Sequence, residues 1–142
     1  MPAAALAASR RSDADLEELA AILNSMAEIT AGTSQRGARA WVEQDAMFHS
    51  AIARASRNGV FESFIAEIRE ALERQSQLLA TAAKRQEQSD REHREIFDAI
   101  AAGDAEAALH AMSLHLHAVA DAVNSLTQAH LTDIRDAEGA AN

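Results

Sequence analysis

One proline, at position 2, and five glycines are all that 142 residues offer to interrupt a helix. Proline removes a backbone donor and glycine costs conformational entropy, so a chain this poor in both can run as long helices. No segment alternates apolar and polar residues for long enough to read as a strand, and no internal repeat or sustained heptad is present. The chain is 48% hydrophobic but only 4% aromatic, so its core must be built mainly from Ala, Leu, Ile and Val. The length suits one domain. The expected fold is all-α, an antiparallel bundle of about six helices.

Local signals divide that bundle. Residues 3–9 read as the tail of a first helix. Asp13 is placed to cap a second, whose apolar positions run from Leu16 through Leu19, Leu23 and Met26 to a stop at Gly32. After a polar break, a third helix covers about Ala38 to Arg57 and carries Trp41, Val42, Phe48 and Ile52. Asn58-Gly59 is expected to end it in a left-handed conformation. A fourth helix holds the apolar positions from Val60 to Leu79, with Phe61 and Phe64 in the core. Residues 84–89 read as a polar linker, and Ser89 with Glu92 as the capping box that opens a fifth helix. Gly103 closes that helix and Asp104 caps a sixth, which holds Met112, Leu116, Val119 and Val123. The polar tail beyond Ala129 is expected to fray.

Charge and composition exclude several functions. The net charge of −9 repels nucleic acid, and no cluster of basic residues offsets it. Without cysteine there is no disulfide, thiolate metal site or thiol nucleophile. No apolar run approaches the roughly 18–20 residues that span a bilayer, and the charges near the start follow the apolar stretch instead of preceding it. A cytoplasmic protein with no membrane partner is the expectation.

Against this background four residues stand out. Asp45, His49, His93 and His115 each fall on the apolar stripe of a helix, where an uncompensated polar group is costly. Asp45 and His49 are four apart and share a helix face. One inward His would be an ordinary core residue, and Asp45 with His49 an ordinary hydrogen-bonded pair. Four such residues on three helices instead suggest the ligands of one divalent transition metal, Zn before Ni, Fe, Mn or Co. His110 and His117 point away from the stripe, and His130 lies near the tail. Asp90 reads as a favourable charge at a helix N-terminus, and Arg57, Arg69, Arg74, Lys84, Arg85 and Arg94 as a solvated face. A metal with open positions could also hydrolyse a substrate, but no separate general base is evident on the same stripes. A third reading is a structural bundle with no effector.

The stretch Asp45-Ala46-Met47-Phe48-His49, followed by residues 51–58 ending in Asn58, resembles the D-x-x-F-H…A-x-x-A-x-x-N segment of the FadR C-terminal domain (FCD), the effector-binding domain of GntR-type bacterial transcription regulators. Residues 92–108 are similar to that family's E-H-x-x-I-x-x-A-I-x-x-G-D-x-x-x-A segment, and Met112 and His115 follow in register. The resemblance implies a helical bundle with a central metal and effector cavity, in which Asp45, His49, His93 and His115 are the ligands. It also implies a small carboxylate metabolite as effector and dimerisation; with no separate general base on the stripes, no enzymatic activity is expected. By position, Asn58 is the candidate for a further pocket residue. Residues 1–130 then form the effector-binding and dimerisation domain, its first helix truncated, and 131–142 a polar tail. DNA would be reached only through a winged helix-turn-helix domain, which is absent from these residues.

Overall fold

Helix caps and short turns set the path of the chain. In the computed structural model, which describes residues 2–32, 35–67 and 83–140, six helices follow one another. They are α1 (Pro2–Arg10), α2 (Asp13–Ala31), α3 (Gln35–Ala55), α4 (from residue 59 through 67), α5 (Ala83–Ala102) and α6 (Ala105–Ala140). The described residues contain no strand, and no helix among them is long and apolar enough to cross a membrane. The all-α expectation therefore holds.

Two of the expected boundaries are met. Gly103 has φ 74°, and the N–H groups of Gly103 and Asp104 return to Ile100 and Ala99 at the end of α5. Asp104 then accepts from the Ala107 N–H at 2.9 Å and starts α6. A two-residue turn of this kind lays α5 and α6 side by side and antiparallel. α6 continues as helix to Ala140, through the segment expected to fray.

Other boundaries differ. α2 is capped by Ser12, not Asp13, and Ser12 forms a reciprocal capping box with Asp15. Asp15 does more than cap, because Arg57 reaches it at 2.5 Å, and Arg54 binds Glu18 at the same distance. These pairs tie the start of α2 to the end of α3. At that end the left-handed residue is Arg57 (φ 51°), not Asn58 or Gly59. The strain is held by the ion pair to Asp15 and by Arg57 Nη1 donating to the Arg54 carbonyl at 2.9 Å. The largest departure is in α5. It is already helical at Ala83, where the described residues resume, so residues 84–89 are helical from Lys84 to Ser89 and not a linker. Ser89 is buried in mid-helix and caps nothing. Asp90 likewise sits two turns inside α5 and not at its N-terminus.

The core explains how the helices stack. Ala3, Ala4, Ala7 and Ala8 are all buried, and these small side chains let α1 approach α3, α5 and α6 closely. α2 packs on α3 and α5. Leu19, Met26, Phe48, Ile52, Ile96, Ile100 and Met112 fill the centre, each worth about 1.5–3 kcal/mol of apolar burial. Phe61 packs at the margin, but Phe64 is exposed, contrary to its expected place in the core. The α3 backbone runs closely along α1 and α2 but not along α5 and α6. On that side the gap is bridged by rings, with Phe48 and Trp41 both in contact with His93.

Candidate metal centre

The bridged gap between α3, α5 and α6 is where the polar residues of the apolar stripes meet. α3 supplies Asp45 and His49 from consecutive turns, α5 supplies His93 and α6 supplies His115. His93 is fully buried, His115 and Asp45 nearly so, and the His49 side chain keeps 12% of its exposure. The periodicity that drives Ile96, Ile100 and Met112 inward carries these residues with them.

Their functional atoms converge. His93 Nε2 lies 3.3 Å from His115 Nε2 and 3.4 Å from Asp45 Oδ1, and Asp45 Oδ1 lies 3.8 Å from His49 Nε2. The three imidazoles each offer a nitrogen within 4.8 Å of the others. A transition metal holds nitrogen at about 2.0–2.1 Å, so neighbouring ligands around it stand roughly 3.0–3.4 Å apart. The His93–His115 and His93–Asp45 separations match that spacing, Asp45–His49 needs a few tenths of an ångström of closing, and His49 must move further toward the other two imidazoles, which stand up to 4.8 Å from it. The compact group is the three His; Asp45 borders it through its contacts with His93 and His49. Neutral imidazoles with a carboxylate suit a borderline transition metal better than a hard cation.

Electrostatics favour the ligand form. Burial pushes His49 down to about 4, with His115 adding to the effect and Asp45 opposing it. Burial also holds His93 well below its ordinary value, reinforced by His115, His49 and Arg85. Both rings are therefore neutral near pH 7, with lone pairs free of competing protons.

Around the cluster lie groups that orient it. Glu92 Oε2 is 2.7 Å from His115 Nδ1, and Arg85 grips both carboxylate oxygens of Glu92 at 2.9 and 2.8 Å. Burial works to raise the Glu92 pKa, but the hydrogen bonds from His115 and Arg85, with the charges behind them, hold it at about 2. An ionised carboxylate only accepts, so His115 Nδ1 is the donor of this pair, and its Nε2 faces the cluster. His93 is held differently. Its Nδ1 is buried with no hydrogen-bond partner, and its ring lies against Phe48 and stacks on Trp41. Asp90 secures that stack by accepting from Trp41 Nε1 at 2.8 Å and from Thr30 Oγ1 at 2.6 Å.

All four residues chosen from the stripes thus fall in one place. Asn58 stands at the α3–α4 turn, where its Oδ1 accepts from the Val60 N–H at 3.0 Å and caps α4. His110 and His117 are exposed, and His117 bonds the Ser113 carbonyl of its own helix. The His130 side chain, Arg69, Arg74 and Leu79 lie outside the described residues. Sequence reasoning missed Glu92 and Arg85. Arg85 is buried and not on a solvated face, and Glu92 was assigned to a helix cap that does not form. Their spacing of seven residues, two helical turns on one face, was the available signal.

The model of the FCD domain family matches residues 1–118. The match takes in Asp45, His49, His93 and His115 and ends within α6. No curated protein matches the sequence.

Proposed function

Since the chain belongs to the FCD domain family, the effector-binding part of GntR-type transcription regulators, we propose that it is a metal-dependent sensor of a small organic acid. His49, His93 and His115, with Asp45, would hold one divalent transition metal, zinc before nickel, iron, manganese or cobalt. When bound, the metal supplies Lewis acidity at its remaining positions, which suits a carboxylate or hydroxy-carboxylate ligand. The observation that carries this reading is the meeting of three imidazoles and a carboxylate oxygen at the buried junction of α3, α5 and α6.

The protein's own groups do the rest. Glu92 and Trp41 orient two of the imidazoles, and the low proton affinity of His49 and His93 keeps them ready to bind. A ligand bridging groups on α3, α5 and α6 favours whichever packing of those helices it fits best, a shift between existing states with no new chemistry. Domains of this family are regulatory parts of transcription factors and not typically enzymes. Glu92, the further carboxylate in contact with the cluster, is taken up by Arg85 and His115 and does not serve as a hydrolytic base. In this reading the domain dimerises in the cytoplasm, and DNA is bound through a separate domain.

A thermal-shift screen of small organic acids, with metal and with chelator, tests the proposal. A ligand at about 100 times its Kd adds roughly 2.7 kcal/mol, or several degrees in Tm for a domain of this size. Acids that stabilise only the metal-loaded protein support the sensor. Equal stabilisation in chelator, or no metal bound at all, refutes it.

A further inference from the structure

His115 differs from His93 in how its ring is fixed. The carboxylate of Glu92 stands on the Nδ1 side of the His115 ring, opposite the Nε2 that approaches His93. Glu92 cannot swing away easily. Both of its oxygens are engaged by the fork of Arg85, Oε1 by Nη1 and Oε2 by Nη2, and both side chains are largely buried. Arg85 and Glu92 lie on one face of α5, while His115 is on α6. One rigid helix therefore supplies both a cluster nitrogen, at His93, and the brace for a nitrogen on the neighbouring helix.

A neutral imidazole has one proton to place. On Nε2 it would point into the cluster and block that nitrogen; on Nδ1 it leaves the lone pair facing inward. We propose that Glu92, locked by Arg85, is a positioning residue that selects the Nδ1–H tautomer of His115 and so prepares the site for a cation before any arrives. The inference rests on the metal-binding reading for its purpose, but the tautomer exists in the metal-free protein and can be read there. Glu92 also sets the angle of the ring, since Oε2 and Nδ1 are only 2.7 Å apart. Carboxylates behind a ligating imidazole act in this way on metal sites generally.

The test uses the full chain with Glu92→Ala and Glu92→Gln. In the chelated wild type, ring nitrogen chemical shifts from 15N-labelled protein report His115 with its proton on Nδ1. In Glu92→Ala the population moves toward Nε2–H. Zinc and cobalt bind Glu92→Ala roughly 10–100-fold more weakly than wild type, and the visible spectrum of the cobalt form changes as the His115 ring loses its fixed angle. Glu92→Gln keeps an oxygen that accepts the Nδ1 proton and recovers part of the lost affinity. It also serves if the alanine variant folds poorly. Wild-type affinity in Glu92→Ala, an unchanged His115 tautomer, or a glutamine variant no better than alanine overturns the proposal. A wild type that binds neither metal refutes the sensor reading instead, and the tautomer measurement still decides the role of Glu92.

Discussion

Replacing His93 by leucine should leave the metal-free protein about as stable as wild type while removing the stability that a metal adds. His93 is fully buried, its Nδ1 has no partner, and its ring is enclosed by Phe48 and Trp41. A leucine of similar volume gains on the order of 2 kcal/mol from apolar burial and removes an unpaired polar atom worth about 1–2 kcal/mol. Against this, His115 Nε2 loses its 3.3 Å contact and Asp45 Oδ1 its 3.4 Å contact with His93, a cost of about 2–3 kcal/mol together, and the change of shape costs roughly 1 kcal/mol. The two sides nearly cancel in chelator, so the Tm of His93→Leu should lie within roughly 4 °C of wild type. With zinc at about 1,000 times its Kd the wild type gains about 4 kcal/mol, while the variant, lacking a central ligand, gains little. Urea denaturation of both proteins in chelator and in excess zinc measures all four stabilities. If His93→Leu is less stable than wild type by more than about 2 kcal/mol in chelator, His93 is a satisfied core residue and the reasoning fails. Equal gains from zinc in the two proteins would also defeat it.

Acid should destabilise the metal-free protein within a defined window. His49 titrates at about 4 when folded and near 6.5 when unfolded, so the unfolded chain binds more protons in between. The contribution of His49 is complete above pH 6.5 and is lost as pH falls toward 4, about 2 kcal/mol of it by pH 5; His93 adds a loss of the same sign. Glu92, held at about 2, contributes only to losses below pH 4.5. Urea midpoints in chelator that do not change between pH 7 and pH 5 would contradict this. Trp41 is the sole tryptophan and stacks on His93, so nickel or cobalt should quench its fluorescence in wild type but not in His115→Ala; quenching of equal size in both would place the ion elsewhere. Gly103→Ala should cost about 1–2 kcal/mol, because φ is 74° and the left-handed region is strained for a residue with a Cβ. Its metal stoichiometry, measured by titration, should be unchanged, and a lost ion would show that the α5–α6 turn belongs to the site.

Much of this protein was legible in its linear order. Scarce breakers and a 3.6-residue apolar rhythm imply long helices, and the stop at Gly103 with the cap at Asp104 follows from local chemistry alone. The same rhythm marks Asp45, His49, His93 and His115 as inward, because a side chain's face on a helix depends only on its position in the chain. Partners across helices are another matter. Ser89 and Glu92 have the spacing of a capping box, yet the chain is already helical six residues before Ser89, and Glu92 instead joins Arg85 to His115. Asp90 has the charge of a helix start but holds Trp41 and Thr30 together. Local spacing cannot rank a cap against a buried ion pair, since the latter depends on how closely distant helices approach and how much water they exclude.

The order of residues alone thus determines which side chains must turn toward the interior. Only the packing of α3, α5 and α6 decides that three of them share a point in space and that a carboxylate stands behind one. An inward direction is a property of one helix, whereas convergence is a property of several at once.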